Sequence, residues 1–428
     1  MRICLIGATH VSQNPRLLRE ADSLSEAGHD VRVIAPSFVP ALDAQDNRHL
    51  ARRQWEYRAV DYQPVGVFGK IRSISVRGKR RLAHDLFQKV KLPLLCEPGY
   101  TPALRAKIRL ASKEPADWFI AHAHPALPVA AAAAKRWNAK LGFDCEDLLA
   151  QNDPEVSEMV LHIERKYLQN CDYVSVPSAC LGRELVKVHG IEPPIVLHNV
   201  FPLAVAQGLA HPAVRTANMK LRLHWFGKTI GSGRGLEDAV EAAGILGDAV
   251  ELTLRGNWAA GFEHELQALA RRNNVNLIIC PPVDHDDLIN TMEQFDVGLA
   301  LERPHHGNYA LALTNKIGIY SLAGLAIAAT DTPGHREFLN PYPAAGFLYQ
   351  AGNSKSLADG LRQWLGDNAS LRAAQQASWE AARTEFCWDL EKETFLKLFS
   401  DSGTQAVSGD TIVNESIEPR AADLVEAV

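Results

Sequence analysis

The sequence predicts an α/β protein built from two tandem Rossmann-like, doubly wound domains that face a shared cleft. Three observations carry this reading: a strand, turn, helix rhythm, a weakly patterned break over residues 202–219, and the same rhythm resumed beyond it. At 428 residues the chain is long enough for two domains, each with its own core. Its 45 Lys and Arg against 50 Asp and Glu, with 46% hydrophobic and 22% charged residues, suit a soluble globular protein. That balance argues against general disorder and against a nucleic-acid-binding surface.

The elements follow in order. Residues 2–7 form a short apolar strand, and residues 15–27 a helix with Leu17, Leu18, Ala21 and Leu24 on one face, Pro15 in its first turn and Gly28 as its stop. A second strand at 31–35 leads into a basic stretch. The rhythm then resumes with strands at 118–121, 140–143, 173–176 and 195–197, and helices at 128–137, 155–169 and from Leu181. After the break, strands at 221–226, 250–254, 276–279, 297–301, 325–329 and 347–349 alternate with helices starting near Leu236, Phe262, Asp286, Asn315, Gly334 and Lys355. The expected division is 1–201 and 202–385. Residues 401–428, with no aromatic, six acidic residues and one Arg, read as a disordered acidic tail.

The seven cysteines (4, 96, 145, 171, 180, 280 and 387) are odd in number and never spaced as C-x-x-C, which points to reduced thiols and no structural zinc. Met1 runs directly into a strand pattern without a signal-peptide core, and the uncharged stretch at 317–330 is too short to span a bilayer. A cytoplasmic protein is expected. Charge is uneven, however: residues 48–91 hold 12 Lys and Arg against three acids. Lys79, Arg80 and Arg81 precede Leu82, Leu86 and Val90, which recur every four residues, with Trp55, Tyr57, Phe68 and Phe87 nearby. Such a helix either rests on an anionic membrane surface, giving peripheral association, or packs its stripe on the core.

Five segments carry a resemblance: SQNPRLLREADSLSEAGHDVRVIAP near the start, FDCEDLL at 143–149, GRGLEDAVEA at 233–242, TNKIGIYSLAGLAIAATDTPG at 314–334 and FCWDLEKETFLKLF at 386–399. Together they resemble retaining glycosyltransferases of the GT-B fold, the family 4 kind that uses a nucleotide sugar. The resemblance covers nearly all of residues 1–400. It implies an acceptor-binding N-terminal domain, a donor-binding C-terminal domain, and a helix at 386–400 that crosses back to the first domain with Trp388 as an anchor.

The chemistry can be stated from the residues. A departing diphosphate gains charge as the glycosidic bond breaks, so an enzyme without a metal ion needs fixed cations and helix N-termini aimed at it. The segment GKTIGSGRG offers both: Gly231, Gly233 and Gly235 permit close backbone approach, and Lys228 and Arg234 match the two basic positions of the family, with Lys and Arg exchanged. Its GSGRG spacing differs from a dinucleotide fingerprint. Thr314 is placed to cap a helix opened by Asn315 and Lys316, a second donor contact; a cation there opposes the dipole unless an anion binds. The resemblance adds Tyr320 to this donor wall. In the family a Glu commonly precedes this Tyr and holds the donor ribose, but Ile319 stands there.

Glu302, after the strand at 297–301, resembles the first carboxylate of the family's paired-Glu pattern, near the transferred sugar. His305 and His306 read as loop residues. On the acceptor side His124 and Asp144 follow strands and should reach the cleft, and Glu146 replaces the His of the family's Asp-x-His pattern; any of the three is a candidate for the acceptor proton. Asn14 and Arg16 are placed to hold the acceptor, against plain N-capping by Asn14. The expected activity is retaining transfer from a UDP- or GDP-sugar to a glycan, lipid-linked or small acceptor, as in polysaccharide biosynthesis. Neither a metal nor a cofactor is expected, nor a nucleic-acid partner. The departures at Ile319 and Glu146 keep two alternatives open, a catalytically degenerate scaffold subunit and a nucleotide-sugar epimerase.

Overall fold

The computed structural model describes residues 1–152, 154–215, 219–283, 285–304 and 307–400. The acidic tail at 401–428 and the pair His305 and His306 lie outside the described residues. Two parallel sheets organise the rest. The first has seven strands, β1 (Arg2–Gly7), β2 (Asp30–Ser37), β3 (Glu56–Asp61), β4 (Trp118–His122), β5 (Lys140–Asp144), β6 (Tyr173–Val176) and β7 (Ile195–Val196). The second has six, β8 (Leu221–Ile230), β9 (Val250–Trp258), β10 (Leu277–Cys280), β11 (Val297–Ala300), β12 (Ala326–Thr330) and β13 (Gly346–Tyr349).

The orders are β3-β2-β1-β4-β5-β6-β7 and β10-β9-β8-β11-β12-β13. Each order reverses once, between β1 and β4 and between β8 and β11. At such a switch the helices leave to opposite faces and open a crevice beyond the carboxyl ends of the strands. The polar turn after β1 and the glycine-rich, cation-bearing turn after β8 sit at these points. Apolar side chains line both faces of each sheet, as buried parallel strands require.

Three elements depart from the sequence reading. The strand β3 lies inside the basic stretch, where its charged EYRAVD pattern hides it; an edge strand buries little and needs little apolar sequence. A 25-residue helix, Gly66–Val90, follows it. Strand β8 continues past a bulge between Phe226 and Thr229 to Ile230, so Lys228 stands on a strand and the turn proper starts at Gly231.

The helix Trp388–Leu396 and the turn after it pack on the first sheet, not the second. Trp388, Phe395 and Phe399 join the core that holds Ile3, Leu5, Leu17 and Val33, and the Trp388 indole N–H donates to Ser23 Oγ at 2.9 Å. On another side the halves touch directly. Ser178 Oγ donates to Leu311 O at 2.7 Å, and the Glu337 carboxylate accepts the N–H groups of Ala179 and Cys180 at 2.9 and 2.5 Å, capping the helix Ala179–His189 from the second half.

One core residue is out of place. Lys107, on the helix Leu104–Ala111, is 1% exposed and its ammonium has no partner among the described residues. Burial pulls its pKa from 10.5 down to about 8. Because the unfolded chain then binds more protons between those values, stability should rise with pH from about 8 to 10.5. Lys107→Met should flatten that rise and add roughly 3 kcal/mol at neutral pH, by the linkage of about 1.4 kcal/mol per unit. Urea titrations across pH 7–10 read both effects.

Candidate active site

The turn after β8 is shaped by what its glycines allow. Gly233 and Gly235 have φ of 75° and 67°, and a Cβ on Gly235 would lie 2.2 Å from Leu301 O, so only glycine fits there. This brings the N-terminus of the helix Leu236–Leu246 close under the turn. A cavity of about 420 Å³ opens beside it, lined by Thr229, Gly231, Ser232, Gly233, Arg234, Ala259 and Tyr309. The Arg234 guanidinium lies over the Tyr309 ring, 5.0 Å from its centre, which fixes the direction of the charge. Lys228 is exposed and donates to Gln13 Oε1 at 3.4 Å, reaching across to the first turn of the other half. Gly231, Gly233 and Arg234 therefore gather at this cavity, while Lys228 is not among the residues that line it; Tyr309 joins them, and only its nearness to the glycine turn, invisible in sequence, marks it.

The second donor group is arranged differently from the sequence reading. Lys316 is buried and pairs with the Glu302 carboxylate, which also accepts from Thr314 Oγ1 at 3.3 Å and lies 3.4 Å from His335 Nε2. Burial alone would push the Glu302 carboxyl up, but Lys316 and His335 hold it well below the usual carboxylate range. Lys316 near the helix N-terminus is thus answered by Glu302 rather than by an open anion site, and the Thr314 side chain bonds Glu302 instead of capping its helix. Asn315 stays half-buried at that helix start. Tyr320 is fully buried with its hydroxyl on the carbonyls of His224 and Leu299, too deep to meet a ligand. Ile319 is likewise buried in the apolar core.

At the switch point of the first sheet a charged cluster replaces the expected open acceptor site. Arg16 is buried and clamps Asp144 with two hydrogen bonds, 2.8 and 2.6 Å, while giving a third to Leu197 O at 2.7 Å. Asp144 also accepts from Ser175 Oγ at 2.8 Å. His122, missed in the sequence, sits 3.3 Å from Glu20, 3.4 Å from Asp144 and 3.7 Å from Glu146. Burial opposes its charge, but Glu20 and the other two carboxylates raise its pKa well above the ordinary value. Asp144 and Arg16 are therefore used up on each other and do not face an acceptor. His124 is buried against Glu164 at 2.8 Å and against the Phe143 ring, away from open space.

Glu146 alone of the three proton candidates is partly open, its side chain 24% exposed. Asn14 positions it: its Oδ1 caps the helix Pro15–Glu26 by accepting from Leu17 N, while its Nδ2 donates to Glu146 Oε1 at 2.6 Å. The capping reading of Asn14 is met, and its amide nitrogen is engaged by Glu146. A second cavity, about 610 Å³, lies beyond β2 and β3, walled by Ser37, Asp43, Asn47, Tyr57, Asp61 and Gln63 among others. Hydroxyl, amide and carboxylate groups of this kind suit a polyhydroxy ligand.

Two doubly wound sheets in tandem, with a cation-bearing glycine turn at the switch point of the second, make up the GT-B fold. Residues 13–200 match the family model described as glycosyl transferase 4-like domain. Among solved structures, a sucrose-phosphate synthase from Thermosynechococcus elongatus is 16% identical over 93% of this chain and 98% of its own, with a TM-score of 0.67. A glycosyltransferase from Rickettsia africae is 14% identical over 95% and 99%, TM-score 0.66. The Anabaena protein HepE, in complex with UDP-glucose, is 14% identical over 93% and 99%, TM-score 0.66. At these identities the likeness is one of fold. No curated protein sequence matches this chain.

Proposed function

We propose that the chain is a retaining, metal-independent glycosyltransferase that takes a sugar from a nucleoside diphosphate and passes it to a glycan, lipid-linked or small acceptor, in the cytoplasm. The observation that carries this reading is the cavity at the turn after β8. There Arg234 and the backbone of Gly231 and Gly233, just ahead of the helix Leu236–Leu246 in the chain, line an opening that suits a leaving diphosphate as it gains charge. UDP is placed before GDP as the nucleotide because the fold relative HepE is a complex with UDP-glucose. The acceptor is assigned to the first half beside Glu146, the group open enough to take its proton.

Retention is taken from the family resemblance; Glu302, the carboxylate nearest by sequence to the sugar, is committed to Lys316 and His335, which argues against its acting as a covalent nucleophile. The expected result is a melting temperature raised by UDP more than by GDP or ADP and unchanged by EDTA, together with slow release of UDP from a UDP-sugar. A ligand at 100 times its Kd adds about 2.7 kcal/mol, which such a scan resolves.

A second reading, a binding subunit without turnover, is favoured by one observation. Ile319, where the family commonly has a ribose-holding Glu, sits in the core and offers no hydrogen bond. Nucleotide binding with no release of UDP from any sugar donor would establish it. The epimerase reading predicts a new nucleotide sugar formed with no acceptor present.

A further inference from the structure

We propose that the outer face of the helix Gly66–Val90 is a docking face for an anionic lipid surface. The helix buries one side, through Gly69, Ser73, Ala83 and Phe87, and Gly69 is tight enough there that a Cβ would meet Gln63 O at 2.7 Å. The opposite side ought to be polar if water were its neighbour. Instead Val67, Phe68, Ile71, Ile74 and Leu82 point outward, 72%, 88%, 60%, 70% and 62% exposed. The stripe foreseen at Leu82, Leu86 and Val90 lies on or beside this outward side, so its packing on the core is excluded; Ala83 and Phe87 do that instead.

At about 100° per residue, Val67, Ile71, Ile74 and Leu82 fall within an arc of roughly 80°. Lys70, Arg77 and Arg81 border that arc on one side, and Arg72 and Lys79 on the other. The only acid on the helix is Asp85. The apolar row runs on past the helix end to Leu92 and Leu94, both exposed. A row of aliphatic and aromatic groups between two rows of cations is complementary to one surface chemistry, acyl chains beneath anionic headgroups. No described helix is long and apolar enough to cross a membrane, so contact would be from one side. The proposal does not depend on the transfer reaction.

Flotation of the full chain with vesicles tests it, using phosphatidylcholine alone and phosphatidylcholine mixed with phosphatidylglycerol. The wild type should rise with the mixed vesicles, less so as salt is added, and stay behind with the neutral ones. Phe68→Ser with Ile71→Ser and Ile74→Ser changes only exposed groups, and should lower partition at least about tenfold while UDP binding and melting temperature stay unchanged. Each of Lys70, Arg77 and Lys79 changed to Gln should lower it about fivefold. Equal flotation of the serine variant and the wild type, or no flotation of the wild type, overturns the proposal. So does a dimer in sedimentation that the serine variant dissolves, since the face would then be covered by a second copy.

Discussion

Arg234→Ala should lower turnover about 100-fold or more while the protein melts at the wild-type temperature. The side chain is half-buried at the cavity rim and carries no ion pair among the described residues, so its loss should leave the fold intact. On the proposed donor assignment, what is lost is a charge aimed in advance at the leaving diphosphate. Removing one donor or charge of this kind costs roughly 3 kcal/mol of barrier in other enzymes. The effect should fall on kcat, because the diphosphate carries more charge in the transition state than in the bound donor. Arg234→Lys should recover part of it. Tyr309→Phe should change little, whereas Tyr309→Ala should cost less than the loss of Arg234 itself, since the ring under the guanidinium orients the charge and does not supply it. Unchanged turnover in Arg234→Ala would remove the donor assignment.

The second large effect is on stability. Arg16→Met leaves Asp144, 0% exposed, without its clamp, and breaking one side of such a buried pair costs about 3–5 kcal/mol. The pH dependence separates this from lost packing. Burial would raise the Asp144 carboxyl, but Arg16 and His122 hold it well below the usual carboxylate range. In the wild type that stabilisation is full above about pH 4 and is lost as the pH falls below it. In the variant the carboxyl should titrate above its ordinary value, so acidification from pH 7 to 5 should relieve the variant rather than harm it. Asp144→Asn added to Arg16→Met should recover part of the loss. Urea midpoints at the two pH values decide between the accounts.

Much of the framework was readable because parallel strands buried on both faces are short apolar runs with glycine or charged turns between them. The strands β1, β2, β4, β5, β6, β8, β9, β11, β12 and β13 all announce themselves that way. The strand β3 does not, since an edge strand with one poorly buried face can carry Glu56, Arg58 and Asp61. Among site residues the glycine turn was legible, because Gly231, Gly233 and Gly235 at alternate positions have few other uses, and Arg234 lies between them. Residues whose meaning depends on a partner were not. Arg16, Asp144, Glu302 and Lys316 are charged residues at strand ends or helix starts, where ligands bind, yet they are spent on one another. Their partners are 128 and 14 residues away in the chain, and no local pattern reports that distance. His122 and His124, two residues apart, illustrate the same limit. One joins the cluster at the switch point and the other turns to Glu164.

The return of Trp388 to Ser23, partners 365 residues apart, has a consequence for the order of events during synthesis. The first sheet can form its ladder as soon as β7 has left the ribosome, but the core on one side of it still lacks Trp388, Phe395 and Phe399. Through translation of the whole second half, the apolar patch left by Ile3, Leu5, Leu17 and Val33 remains uncovered. Domains ordinarily fold as units from the N-terminus as they emerge, at about 5–20 residues per second. Here the nascent first half must wait on the order of ten seconds or more at that pace for its missing side chains. It is therefore the segment a chaperone would hold, and truncation before Trp388 should yield a chain that aggregates through its uncovered first half.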